Sequence, residues 1–220
     1  MSLAPFLLTL KLALCATAIL TATGIPVALW LANRRSLLAS GLEASVALPL
    51  VLPPSVLGFY LLLLFRAKGP LGAVWERFFG HPLVFNFEGL VLASVVFGFP
   101  FMVQPLVAGV RSIPKELIEA SATLGKPWWT TLVRVVLPNM KASILTGCVL
   151  AFAHTVGEFG VVLMVGGNIE GETRVVSLAI YDAVEALDYR SAHVYASVLF
   201  AFSFLTLLAV YRVNRRFFSA

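Results

Sequence analysis

Apolar residues in this chain come in long, nearly unbroken runs, not in the alternation of a half-buried strand or the single stripe of a surface helix. Five runs stand out, at about residues 5–32, 46–65, 89–110, 142–165 and 193–213. Each is close to or beyond the ~20 residues a helix needs to cross the hydrocarbon core of a bilayer. The pattern predicts an all-α, polytopic helical bundle of about five transmembrane helices. Proline punctuates two of the runs, with Pro49, Pro53 and Pro54 in the second and Pro100 and Pro105 beside Gln104 in the third. The missing backbone donors should bend or interrupt the second helix, which lipid tolerates only where packed protein or a water-lined cavity satisfies the freed groups. Residues 175–189 mix Val175, Leu178, Ala179, Ala183 and Leu187 with Asp182, Glu185 and Asp188. That mixture predicts an interfacial or re-entrant helix in place of a sixth span.

Composition sharpens this picture. The 220 residues are 60% hydrophobic and 12% charged, with a mean hydropathy of +0.93, values outside the range of ordinary soluble domains. We read 1–220 as one membrane domain with little room for a soluble enzyme. Arg34 and Arg35 follow the first run, where a cleaved secretory leader would carry charge before a shorter one, so a retained span is expected. Placing the long loop 111–141 in the cytoplasm puts ten cations inside: Arg34, Arg35, Arg111, Lys115, Lys126, Arg134, Lys141, Arg212, Arg215 and Arg216. Five remain outside, Arg66, Lys68, Arg77, Arg174 and Arg190, with Lys11 free to snorkel from the first span. This bias predicts an outside amino terminus and a cytoplasmic carboxyl terminus. The net charge of +5 is therefore a topology signal, and no nucleic-acid partner is expected. Cys15 and Cys148 sit inside apolar runs without metal-ligand spacing.

The loop 111–141 carries the most specific signal. Pro114 suits a first helical turn, and Glu116 and Glu119 complement the positive end of a helix dipole. Ile113, Leu117, Ala120 and Leu124 recur at spacings that place them on one face, and Gly125 follows as a stop. Pro127, Trp128 and Trp129 open a second short helix, and Val135-Val136-Leu137-Pro138 turns the chain back to the membrane. An apolar face outside the bilayer must be buried, on the protein's own spans, in the membrane interface or on a partner.

The order Glu119-Ala120-Ser121, then Gly125, then Val135-Val136-Leu137-Pro138 resembles the EAA loop of bacterial ABC importer permeases, with Ser121 and Val135 standing where the family usually has Ala and Ile. Residues 48–60 (LPLVLPPSVLGFY), Gly157-Glu158-Phe159-Gly160, Gly166-Gly167-Asn168-Ile169 and Gly171-Glu172-Thr173-Arg174 are similar to segments of molybdate permease subunits. Sulfate and thiosulfate permeases share the architecture. The resemblance implies a type I ABC importer permease fold in the bacterial inner membrane. It further implies a homodimeric pathway, two ATPase subunits using ATP and Mg, and a periplasmic or extracellular molybdate-binding protein. The chain itself has no phosphate-cradling G-x-x-x-x-G-K-[ST] loop, so ATP chemistry would belong to a partner.

Read this way, Glu119, Ala120, Ser121 and Gly125 would couple to the ATPase, with Leu117, Leu124 and Trp128 as apolar anchors. Glu158 is the acidic residue set deepest in an apolar run. A fixed carboxylate would repel a dianion by about 4 kcal/mol per charge pair at ~4 Å, which argues against direct cargo binding. A structural or gating role is expected instead: pairing with Arg174 or Arg190, capping the broken end before Gly166-Gly167-Asn168, or carrying a proton. Pro53 and Pro54 would shape the second break. Ser55, Ser94, Gln104 and Thr155 are the neutral polar candidates for a pathway lining, although a hydroxyl in a span can also bond its own backbone. His154 and Glu158 have the spacing of a metal pair but no third ligand, so no metal is expected. The competing readings are a tungstate or sulfate cargo, a secondary transporter built on the bent spans, and an intramembrane enzyme using His154, Thr155 and Glu158.

Overall fold

The computed structural model describes residues 2–34 and 36–218; Arg35, and the side chains of 209–211 and 213–218, lie outside that description. The Arg35, Arg215 and Arg216 charges of the topology argument are among these. The elements are α1 (Ala4–Ala32), α2 (Leu37–Val51), α3 (Pro54–Phe65), α4 (Pro70–Phe79), α5 (Phe87–Arg111), α6 (Lys115–Thr123), α7 (Trp128–Thr131), a π-helical turn (Leu132–Val136), α8 (Leu137–Asn139), α9 (Lys141–Val156), α10 (Gly160–Gly166), α11 (Val176–Glu185) and α12 (Tyr189–Phe218). No strand occurs among the described residues.

Three helices, α1, α5 and α12, are individually long and apolar enough to cross a membrane. The second span is broken as the prolines predict: α2 and α3 meet at 115°. Leu52, which precedes Pro53, is held extended at φ −74°, ψ 137°. Pro54 then restarts the helix at a position where its missing N–H costs nothing. By contrast α5 continues through both Pro100 and Pro105. The fourth run is also interrupted, at Gly157–Phe159, between α9 and α10.

Contacts along the helices fix their directions. The Lys11 ammonium sits over the Phe87 ring at 4.3 Å, while the far ends of α1 and α5 share a cavity lined by Ala32 and Arg111, so these two helices run parallel. α9 runs against them: Ser143 packs on Gly109, Gly147 on Met102, and His154 on Phe101 and Phe97. α12 begins beside the amino terminus, where Tyr195 stacks on Phe6 at 5.7 Å, and descends until Phe202 meets Phe152 at 6.3 Å. With α2/α3 and the bent pair of Trp128–Asn139 and α9 each counted as one span, the described residues supply up to five crossings by length and composition. The amino terminus and the 111–141 hairpin lie at opposite faces, and α12 runs toward the hairpin face. Leu20, Ala28, Met102, Leu106, Met140 and Ala151 form the main core between α1, α5 and α9.

One element adds to the expected plan and another sharpens it. α4 is a short amphipathic helix at the amino-terminal face, stopped by Gly80 at φ +75°. α11 falls inside the expected 175–189 segment, but its 10 residues extend ~15 Å at 1.5 Å each, half the ~30 Å hydrocarbon thickness. It enters the bundle without crossing it.

Candidate translocation core and coupling hairpin

The hairpin is built by its own turn chemistry. Gly125 adopts φ +66°; the Lys126 N–H reaches the Ser121 carbonyl at 3.1 Å and the Gly125 N–H reaches that of Ala122 at 2.9 Å. This pair of bonds is a Schellman stop. The second arm passes through a π-helical turn in which the Leu137 N–H donates to the Leu132 carbonyl. Pro138 cannot donate to Arg134 and its ring would crowd that carbonyl, so a widened turn relieves both problems. A 68° bend then feeds α9.

Ser121 is buried, and its hydroxyl shares a 2.7 Å hydrogen bond with that of Thr131. It ties the two arms together and does not lie on the outer face, unlike Glu119 and Ala120, with which the coupling expectation grouped it. Ile113 precedes α6 and is buried against the bundle, so the expected four-residue stripe divides. Leu117 (42% exposed), Leu124 (73%) and Trp128 (50%) remain uncovered, as do Glu119 and Ala120. The stripe is therefore not buried on this chain's own spans.

The two broken spans meet each other. A Cβ on Gly160 would lie 2.9 Å from the Pro54 side chain, and one on Gly58 would lie 2.9 Å from that of Met164, so α3 and α10 run parallel in close contact. Such separations require residues without side chains at the crossing. Pro53, Pro54, Ser55, Gly157 and Phe159 all reach the surface at this double break.

Behind the break lies Glu158, 4% exposed, with both carboxyl oxygens lacking a hydrogen-bond partner. Its nearest polar neighbour on α5 is Ser94, fully buried and also without a full hydrogen bond. Ser94 lies roughly 10 Å along α5 from its first residue, at 1.5 Å per residue. Ser177 at the start of α11 donates to the Glu158 carbonyl at 2.6 Å, and the Val176 N–H donates to the Thr9 hydroxyl at 2.9 Å. These bonds hold α11 against the break.

The expected pairing of Glu158 with Arg174 is corrected. Arg174 is engaged by Asp182 at 3.2 Å, Glu170 at 3.5 Å and the Asn168 amide oxygen at 3.2 Å. Asn168, at φ +58°, closes the network through a 2.6 Å bond to Asp182. Thr173 locks the loop by donating to the Gly166 carbonyl at 2.7 Å and accepting the Ile169 N–H at 2.8 Å. Arg190 forms no ion pair among the described residues. Nor does Glu158 cap α10, which starts at Gly160 with Phe159 in the N-cap position and no side-chain cap. Farther along the same face, Asp188 accepts the Ser191 N–H at the start of α12 at 3.1 Å, and hydrogen bonding from the Ser191 side chain first and its backbone second holds the carboxyl below its ordinary value.

The four polar lining candidates are not brought together. Thr155 is buried with its hydroxyl spent on the Ala151 carbonyl, and Ser94 is sealed behind the break. Ser55 is exposed at the break itself, while Gln104 faces a separate cavity beside Glu43 and Arg111. His154 stacks on Phe101, with ring centroids 4.0 Å apart, and no group of three metal-ligating side chains occurs among the described residues.

Comparison with known proteins gives one consistent picture. Over 215 residues the chain is 48% identical to the molybdenum transport system permease protein ModB of Azotobacter vinelandii, spanning 98% of this chain and 95% of that one. It is 34% identical over 169 residues to a probable sulfate transport system permease protein, cysT, of Chlorella vulgaris, covering 77% of this chain and 63% of that protein. A crystal structure of a bacterial ABC transporter that imports the acidic polysaccharide alginate has the same fold, with a TM-score of 0.73 at 18% identity over 98% of this chain and 80% of that one. The family model for the binding-protein-dependent transport system inner membrane component matches residues 24–219, and this chain belongs to that family.

Proposed function

We propose that this chain is the membrane-spanning subunit of an ATP-driven ABC importer that carries molybdate into the cytoplasm. The observation that carries the cargo assignment is the end-to-end 48% identity to a molybdenum permease, against 34% over a shorter stretch for the sulfate relative. The coupling assignment rests on the hairpin, whose Leu117, Leu124 and Trp128 stand uncovered around Gly125. In this reading an ATPase subunit seats on that face and supplies the ATP and Mg chemistry. The hairpin is cytoplasmic, the amino terminus is outside, and a molybdate-binding protein delivers cargo to the outer face. A second copy of the chain completes the pathway, a role supported by the exposed Leu48, Val51, Phe59 and Tyr60 flanking the double break.

The energetic logic follows from the residues. Glu119 lies in α6, and the small Ala120 leaves room for close approach. Movement of the hairpin reaches the spans through the bend into α9, whose far end is the Glu158 break. A pathway at the double break offers neutral Ser55 and backbone groups and, among the described residues, no fixed cation, so cargo is released easily and selectivity resides in the binding protein. The test is cellular molybdenum uptake at trace molybdate with excess sulfate, with and without this chain. Loss of molybdenum uptake in the deletion alone supports the reading. Persistence of molybdenum uptake with a fall in sulfate uptake would keep the architecture and overturn the cargo.

A further inference from the structure

Between the ends of α1 and α5 and the root of the hairpin lies an open cavity of about 510 Å³. Its walls divide by chemistry. Leu29, Ile113, Ile118 and Val136 form an apolar side continuous with the bundle, and the half-exposed Trp128 stands at the rim. Arg34, Arg111 and Lys115 supply the charge, and no acidic side chain lines the cavity among the described residues.

The three cations are not equivalent. Both terminal guanidinium nitrogens of Arg111 donate to Glu43, each at 3.3 Å, and Glu43 lies outside this cavity. Arg34 and Lys115 are exposed and form no ion pair among the described residues. Arg34 follows the carboxyl end of α1, where a cation is favoured by the helix dipole. Lys115 opens α6, at the end where the same dipole disfavours a cation. The dipole of α6 thus opposes the Lys115 charge and no carboxylate pairs with it among the described residues, so its ammonium lines the cavity uncompensated beside the Arg34 guanidinium. A free oxyanion would use the two cations and leave the apolar wall empty. A phosphodiester headgroup with an acyl chain uses both halves, at the level where the spans leave the bilayer.

We propose that this cavity binds an anionic phospholipid, with its phosphate held by Arg34 and Lys115 and an acyl chain laid along the Leu29, Ile113 and Val136 wall. The assignment is independent of the cargo. The experiment is native mass spectrometry of the protein purified with its bound subunits and titrated with phosphatidylglycerol or phosphatidylcholine. Wild type should prefer phosphatidylglycerol. Each neutralised cation should weaken that binding about fivefold, so Arg34→Gln with Lys115→Gln should lower it roughly 25-fold. Arg34→Lys with Lys115→Arg should retain it, and Glu43→Gln, which frees Arg111, should tighten it. Intact assembly masses report that each variant is folded. Equal binding of the two lipids, or an unchanged affinity in the double glutamine variant, would overturn the proposal. So would displacement of the lipid by submillimolar inorganic phosphate or molybdate, which would mark a site for free oxyanions.

Discussion

Gly125 offers a direct way to separate backbone strain from loss of a partner contact. Its φ of +66° costs an L-residue roughly 1–2 kcal/mol, with Asn penalised less because its side chain tolerates the left-handed region. A Cβ at this position meets nothing within 4 Å, so the chain itself has room for any side chain. Strain alone ranks Ala and Leu as equally damaging and Asn as mild. Bulk against a docked ATPase ranks Leu worst, Asn next and Ala mildest. The assay is molybdate uptake and recovery of the ATPase subunit with the permease for Gly125→Ala, Gly125→Asn and Gly125→Leu. Bulk at the turn that unseats one central anchor worth about 2 kcal/mol weakens docking roughly thirtyfold, so Gly125→Leu should lose the ATPase at concentrations where wild type retains it. The membrane fold should persist, because the main core between α1, α5 and α9 does not include the Gly125 turn. Normal uptake by Gly125→Leu, or a ranking in which Asn is mild and Ala matches Leu, would refute docking at this turn.

Three other outcomes follow from the geometry. Ser121→Ala leaves the buried Thr131 hydroxyl without its 2.7 Å partner and should cost about 1–3 kcal/mol in thermal unfolding, while adding Thr131→Val should recover most of that loss; additive losses would show that the two hydroxyls act separately. Glu158→Gln should leave the melting temperature unchanged, because no cation pairs with the carboxyl among the described residues; a drop equivalent to ~3 kcal/mol, the cost of breaking a buried ion pair, would reveal one. Gly58→Leu places a side chain where Met164 and Val161 already pack within 3.2 Å, and overpacking should destabilise the protein by about 1–3 kcal/mol and abolish uptake; wild-type stability on calorimetry would contradict the close crossing of α3 and α10.

Apolar run length made the crossings legible, because a bilayer demands ~20 consecutive apolar residues and little else satisfies that demand. Chain breaks were legible only in part. Pro53-Pro54 forces one, since the residue before each proline is pushed out of helical geometry, yet Pro100 and Pro105 sit in a continuous α5. A single proline removes one donor that packed neighbours can tolerate, whereas two in succession leave no helical register to resume. α4 was overlooked although its signals are present: Pro70 at the helix start, Arg77 in the last turn and Gly80 at φ +75° after it. Its mixed Glu76, Arg77 and phenylalanines look unlike a span and too apolar for a simple loop, and the run-length criterion passes over such a segment.

The site was harder to read, because spacing along a chain does not choose between competing partners. Arg174 was a reasonable match for Glu158 by charge and side of the membrane, but Glu170 is one helical turn away in sequence and Asp182 is brought close by the fold of 166–182. A cation at the aqueous rim remains with rim carboxylates, since moving it inward to Glu158 would cost several kcal/mol of hydration. Glu158 is thereby left behind two chain breaks with an unbonded serine beside it. Spacing is equally silent on Ser121 and Thr131, ten residues apart, whose hydroxyls meet because the Gly125 stop folds one arm on the other. Turn chemistry was readable and so was its consequence for α6, but the contact it creates between arms depends on the π-helical turn before Pro138. Deleting that turn by Pro138→Ala should restore a regular α-helical ladder, rotate Thr131 away from Ser121 and reduce uptake while leaving the spans intact. Full uptake, with hydrogen exchange at Leu137 unchanged, would show that the hairpin does not depend on the widened turn.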